Sequence, residues 1–209
     1  MQLSCFPSEN LEMVKQMEGK KEVILKTPLS VEEIKFLRAG DKVHLNGVVY
    51  VARDLTHQRL IEDLEKGKEL PFSFSGSVIY YAGPTPARRG EIIGSIGPTT
   101  SSRMDKYLEY FLQKGLRATI GKGERREEVK ELLEKYGALY LLACGGAAAY
   151  LSTFVVEKEV LDYEDLGAQA LLRLKVEQFP LLVAYDAQGG DIFKEGKIKY
   201  RNLALYNEY

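Results

Sequence analysis

Residues 96–105 read Ile96-Gly97-Pro98-Thr99-Thr100-Ser101-Ser102-Arg103-Met104-Asp105. The stretch follows a predicted strand and turn and precedes an amphipathic helix. Gly97-Pro98 breaks the regular backbone, because proline fixes φ and removes an N–H donor. Any of the four hydroxyl residues that follow can N-cap the helix by accepting a bond from an orphan N–H. Arg103 falls in or near the first turn, the end of the helix dipole that favours anions. N–H groups, hydroxyls and a guanidinium on one helix start make a site for a carboxylate or phosphate. The alternative is an ordinary capped helix whose Arg103 pairs with Asp105 or a neighbour.

Outward from this stretch the chain alternates. Ser77–Ala82 is an apolar run without alternation, the pattern of a strand buried on both faces. Gly83–Gly90 is a Pro/Gly/Arg loop, and Ile92–Ile96 leads into the opening stretch. Residues 104–115 form a helix, Leu116–Ile120 a strand and Gly121-Lys122-Gly123 a tight turn. Glu124–Tyr136 is a charged helix with Val129, Leu132 and Leu133 on one side and Gly137 as its cap. Ala138–Ala143 is a further buried strand, followed by the small residues Cys144–Ala149. Strand, helix, strand, helix, strand from 77 to 149 is the rhythm of an α/β layer with a mostly parallel sheet.

Upstream, residues 1–20 are polar and Glu22–Lys26 is a short strand. Ser30-Val31-Glu32-Glu33 fits a capping box opening a short helix. Asp41–Ala52 reads as two strands joined by a tight turn at Asn46-Gly47. Arg53-Asp54 ends the second of them, and residues 55–66 form a helix closed by Gly67. Downstream, Ala170–Val176 and Leu181–Asp186 read as strands joined around Phe179-Pro180, and 197–209 is a polar tail. No internal repeat or low-complexity linker interrupts the 209 residues. The expected architecture is one domain over 1–209, with a β-rich N-terminal layer and an α/β C-terminal part.

Lysine and arginine total 29 against 30 acidic residues, a net charge of −1, which excludes a generic nucleic-acid binder. No apolar run approaches the roughly 20 residues that cross a bilayer, and residues 1–19 lack a secretory apolar core. The expected location is the cytoplasm. Cys5 and Cys144 are far apart with no Cys/His ligand spacing. With only His44 and His57 besides, no metal is expected to be ligated by this chain.

Arg53, Arg103 and Lys122 each follow the end of a predicted strand or lie just beyond it, where open α/β sheets bind ligands. Taken singly, each reads as a solvated surface cation; converging, they suit a dianion. Gly121-Lys122-Gly123 lacks the GxxxxGK[ST] pattern of a phosphate-binding loop. His57, three residues after Asp54, reads either as an acid/base partner of Asp54 or as an ordinary surface contact.

The stretch Gly97–Asp105 closely resembles the GPTTxxRMD motif of the β subunit, or C-terminal domain, of iron–sulfur hydro-lyases: the class I fumarases and L(+)-tartrate dehydratases. Supporting matches are Gly47–Asp54 with His57 and Arg59, Gly76–Pro84, Ile120–Gly123, Gly145–Ala149, and Phe179-Pro180 with Asp186 and Gly189. The likeness spans about residues 20–195 in order. It implies a swivelling β/β/α domain that closes over an active site borne by a partner α subunit, in an α₂β₂ hetero-oligomer. The α subunit of that family holds a [4Fe–4S] cluster, which this chain is not expected to ligate. The implied reaction is reversible hydration of fumarate to L-malate. Dehydration of tartrate and a non-catalytic dicarboxylate-binding module are the alternatives. By resemblance, Arg53, Arg103 and Lys122 bind the carboxylates of a C4 dicarboxylate, Thr99 is the candidate base, and Thr100, which shapes the turn beside it, is counted among the substrate-binding residues. Thr99 also reads as a helix cap or a hydrogen-bond donor to substrate. Two positions depart from the pattern. Gly167-Ala168-Gln169-Ala170 carries an amide where Gly-x-Glu-Ala is common, and Ser102 replaces a usual glycine.

Overall fold

The computed structural model describes residues 15–17 and 20–200. Strands β1 (Lys15–Met17) and β2 (Lys20–Lys26) pair antiparallel at one edge. The short helix α1 (Val31–Ile34) opens on the expected capping box: Glu33 N–H donates to Ser30 Oγ at 3.2 Å, and Ser30 N–H donates to the Glu33 carboxylate at 2.9 Å. Then come β3 (Lys42–Val51), α2 (Asp54–Glu65) and β4 (Val78–Tyr80). A 3-10 turn at Ser101–Met104 runs into α3 (Asp105–Gln113), followed by β5 (Ala118–Gly121), α4 (Glu127–Tyr136) and β6 (Leu139–Leu142). The remaining elements are α5 (Ala148–Ser152), β7 (Val155–Asp162), a 3-10 segment at Glu164–Gln169, β8 (Leu171–Tyr185) and α6 (Ile192–Tyr200).

The described strands form one mixed sheet in the order β1-β2-β3-β4-β5-β6-β8-β7, with β3 also paired to β8. From β2 to β6 every pairing is parallel. The expectation of a mostly parallel sheet therefore holds only there, because β8 runs antiparallel to β3, β6 and β7. Among the described residues the expected β-rich N-terminal layer is not separate but part of the same sheet. β3 carries β2 and then β4 along one edge and β8 along the other. β8 in turn pairs with β3, and with β7 and then β6. The pairings β3-β4-β5-β6-β8 thus close a ring.

Successive side chains on these strands enter two different cores. Val78 and Tyr80 of β4, Ala118 and Ile120 of β5, and Leu139 and Leu141 of β6 pack with Val43, Leu45 and Leu174. Ile79, Tyr81 and Tyr140 point the other way, against Leu60 of α2, Phe111 of α3 and Leu133 of α4. Burial on both faces is why these strands show no polar alternation.

The predicted hairpin at Asn46-Gly47 is absent. Both residues lie inside β3, where its register with β8 shifts. Gly47 has φ of 100°, and a Cβ there would sit 2.4 Å from Thr27 Oγ1. Positive φ is shared by hairpin turns and bulges, and here tertiary pairing selects the bulge. Asn46 Oδ1 accepts from Gln178 N–H at 2.8 Å, and Asn46 O accepts from Thr27 N–H at 3.0 Å. Likewise the two strands predicted around Phe179-Pro180 are one strand, β8, kinked at Gln178 with φ of 53°. α6 replaces the first residues of the predicted polar tail; 201–209 and nearly all of 1–19 lie outside the described residues. Cys5 falls there too, while Cys144 is free and exposed.

Candidate functional site

Because β3, β4 and β5 are parallel neighbours, their C-terminal ends open on the same side. Arg53 follows β3 and Lys122 follows β5. The stretch Gly97–Ser101 is laid across the ends of β4 and β5 by backbone bonds. Pro98 bridges Ala82, and Thr100 bridges Lys122 in parallel. Thr99 N–H donates to Tyr81 O at 2.7 Å, Lys122 N–H to Thr99 O at 3.1 Å, and Ser101 N–H to Lys122 O at 3.0 Å. Behind it, Tyr80 Oη donates to Ile96 O at 3.1 Å. Thr99, Thr100 and Lys122 are therefore held on one extended edge.

The hydroxyl run does not cap the helix through its side chains. No such cap forms at Thr100, and α3 starts only at Asp105. Ser101 is buried instead, its Oγ donating to Tyr140 Oη at 3.0 Å while Tyr140 Oη donates to Gly123 O at 2.8 Å. Gly121 makes room for this: a Cβ there would lie 1.9 Å from Ser101 Oγ.

Arg103 does not pair with Asp105. Its Nε donates to Asp54 Oδ1 at 3.0 Å and its Nη2 lies 2.8 Å from Oδ2. Both side chains are partly exposed, so the pair adds at most about 1 kcal/mol of stability. Its larger effect is geometric: the Nε hydrogen bond ties the guanidinium to Asp54, with Nη2 close to Oδ2 but making no hydrogen bond to it. Asp54 follows Arg53 directly, so the same pair joins the Arg53 and Arg103 segments.

Arg53 is anchored through its backbone. Its N–H donates to Thr56 Oγ1 at 3.2 Å, and its carbonyl accepts from His57 N–H at 2.8 Å and from His57 Nδ1 at 2.7 Å. Thr56 Oγ1 in turn donates to Gln169 O, and Gln169 Oε1 accepts from Leu55 N–H at 3.2 Å at the start of α2. Arg53 Nε is enclosed with no hydrogen-bond partner among the described residues. Its Nη1 would lie 2.9 Å from a Cβ on Gly83, so glycine there clears the arm's path.

His57 is not a surface residue. It is buried among the rings of Tyr81, Tyr107 and Phe111. Because a carbonyl only accepts, Nδ1 carries the proton. Burial pushes the imidazole pKa down to about 4, and Arg125 adds to that; the Arg53 carbonyl and Asp54 oppose it. His57 is thus neutral at pH 7 and bonds to Arg53 rather than acting as an acid/base partner of Asp54.

Lys122 is exposed, and a Cβ on Gly145 would lie 3.8 Å from its Cδ. Among the described residues no cluster of three His, Cys, Asp or Glu is placed to hold a metal ion. These residues therefore do not fit an iron–sulfur cluster. A cleft of about 510 Å³ lies elsewhere, between residues 85–95 and 149–155, and none of the five candidate residues lines it. On this edge Thr100, Arg103 and Lys122 are exposed, and Arg53 and Thr99 are partly so.

Sequence reasoning missed Asp54 as the partner of Arg103, since 49 residues separate them. It also missed Arg125, which lies in the stretch Glu124–Tyr136 read as a charged helix, although that helix starts only at Glu127. β7 went unread because it is an edge strand with Glu157, Lys158 and Glu159 exposed, a common way of blunting an edge.

Residues 2–196 match the model of the fumarase C-terminus family. A protein of Methanocaldococcus jannaschii named as a candidate L(+)-tartrate dehydratase subunit beta is 40% identical over 173 residues, 80% of this chain and 89% of that protein. The L(+)-tartrate dehydratase subunit beta of Escherichia coli is 34% identical, covering 83% of this chain and 88% of its own length. Fumarate hydratase 1, mitochondrial, of Leishmania major is 36% identical over 93% of this chain, which spans only 37% of that longer protein. With the family model covering nearly the whole chain, this protein belongs to the fumarase C-terminus family of hydro-lyase β subunits and C-terminal domains.

Proposed function

We propose that the chain is a single domain over 1–209 and the β subunit of a cytoplasmic iron–sulfur hydro-lyase that interconverts fumarate and L-malate. One observation carries the reading. Three cations follow or adjoin the ends of adjacent parallel strands, joined through Asp54–Arg103 and the Thr99–Lys122 backbone bond, on an edge that is open. Arg53, Arg103 and Lys122 bind the two carboxylates of the substrate. Thr100 shapes the edge beside Lys122, and Thr99 exchanges the carbon-bound proton. A threonine hydroxyl is a weak base in water; adjacent cations stabilise its alkoxide in a site that excludes water. The other half of the site, with the [4Fe–4S] cluster, belongs in this reading to an α subunit of an α₂β₂ assembly. The domain swivels to close over that subunit.

A second reading, L(+)-tartrate as substrate, is favoured by one finding: two relatives that match over most of their own length bear tartrate dehydratase β names. The test mixes this chain with a cluster-loaded α subunit under anaerobic conditions. Loss of fumarate absorbance is followed, with tartrate in parallel. Turnover that needs both chains and disappears in Arg103→Ala is expected. No turnover of either substrate by the wild-type pair refutes the proposal and leaves a dicarboxylate-binding module. Full activity of Arg103→Ala refutes the site.

A further inference from the structure

We infer that Arg125, which lies behind the cationic edge, is a positioning residue that sets Arg103, Lys122 and Thr99 relative to one another. The inference rests on the dicarboxylate site proposed above.

The Arg125 side chain is fully enclosed. Its Nε donates to Asp105 Oδ1 at 2.7 Å, and Asp105 lies two residues beyond Arg103. Its Nη1 donates to Thr119 Oγ1 at 3.0 Å on β5, the strand that leads into Lys122. Its own backbone is clamped by Tyr185, whose Oη accepts from Arg125 N–H at 2.9 Å and donates to Arg125 O at 3.2 Å. The guanidinium carbon lies 5.6 Å from the ring centre of Tyr81 and 5.2 Å from that of Tyr140. Tyr81 O accepts from Thr99 N–H, and Tyr140 Oη links Ser101 to Gly123. One side chain therefore touches neighbours of the Thr99, Arg103 and Lys122 segments.

Stability alone is a poor reason for this arrangement. A buried ion pair is often no more stable than apolar side chains of the same volume. What the guanidinium supplies is a rigid fork with directional bonds. Its position over two rings adds a second constraint. A shift of about 1 Å in a substrate-holding group costs up to about 100-fold in rate, so the constraint has a measurable consequence.

The test uses the double variant Arg125→Met/Asp105→Leu, with Arg125→Lys and Thr119→Val beside it, each assembled with the α subunit. The double variant is expected to melt near the wild type and to bind α, while kcat/KM for fumarate falls about 10- to 100-fold. Arg125→Lys, which keeps the charge without the fork, is expected to recover only part of that loss. Folded double variant with wild-type kcat and KM overturns the inference. If the double variant does not fold, Thr119→Val, which removes the acceptor of Arg125 Nη1, decides: a raised KM supports the inference and wild-type kinetics overturns it. Absence of turnover by the wild-type complex sinks the hydro-lyase reading instead. Amide exchange of the β chain alone then decides on Arg125. Faster exchange confined to 99–103 and 121–123 in the double variant supports positioning. Exchange unchanged there, or raised evenly across the sheet, overturns it.

Discussion

Replacing His57 by phenylalanine removes a buried titrating group and keeps a ring among Tyr81, Tyr107 and Phe111. In the fold His57 stays neutral down to about pH 4, and its Nε2 has no hydrogen-bond partner among the described residues for a second proton. In the unfolded chain it titrates near 6.5. Its folded pKa is depressed, so the stability it contributes is fully present above 6.5 and is lost as pH falls towards 4. The unfolded state binds the extra proton throughout that window. With these two values the loss attributable to His57 is about 2 kcal/mol between pH 7 and pH 5. It reaches about 3 kcal/mol below pH 4, at 1.36 kcal/mol per pH unit. Carboxylates also titrate over this range, so the quantity to measure is a difference. Urea unfolding followed by far-ultraviolet circular dichroism at pH 7, 6 and 5 gives the stability of wild type and His57→Phe at each pH. The wild type is expected to lose about 2 kcal/mol more than the variant between pH 7 and 5. Parallel loss in the two proteins refutes the reasoning. His57 would then be protonated in the fold, and its bond to the Arg53 carbonyl would come from an imidazolium.

Gly121→Ala puts a Cβ 1.9 Å from the buried Ser101 Oγ and is expected to cost about 1–3 kcal/mol by overpacking. In a double-mutant cycle by urea unfolding, Ser101→Ala recovers part of that loss, and strict additivity of the two changes would contradict the predicted clash. Gln169→Glu places a carboxylate where Gln169 Oε1 already accepts from Leu55 at the N-terminus of α2. It is expected to add about 0.3–1 kcal/mol at pH 7, a gain that vanishes as pH falls below the ordinary glutamate range near 4.3; thermal melts at pH 7 and pH 3.5 check both signs.

The α/β rhythm was legible because its strands are buried on both faces and so read as apolar runs. Each intervening helix presents one apolar side to the same sheet. The cations were legible for a local reason too: Arg53 and Lys122 sit in the residues just past a strand, a position that needs no tertiary information. Their orienting groups were not legible. Asp54 reaches Arg103 across 49 residues and Asp105 reaches Arg125 across 20. A charged residue next to a cation in sequence is a poor guide to its partner in space. The hydroxyl run misled for a related reason. Thr99 and Ser101 make their backbone bonds to Tyr81 and Lys122 at the ends of the neighbouring strands, and the Ser101 side chain turns inward to Tyr140.

The failure at Asn46-Gly47 shows how the site comes to exist. A hairpin there would fold the second half of β3 back onto its first half. A bulge lets the strand continue, and the partner on one of its edges changes from β2, which ends opposite Asn46, to β4, which begins opposite Tyr50. β8 stays on the other edge and bends in step, since Gln178 bonds to Asn46 at its own positive-φ kink. The local twist that bulges introduce lets β3 close the ring through β8 while its C-terminal end lies beside β4 and β5. Arg53 is thereby delivered next to the stretch that carries Thr99 and Arg103. Asn46-Gly47 thus contributes to the candidate site from far outside it, through strand pairing rather than through a turn.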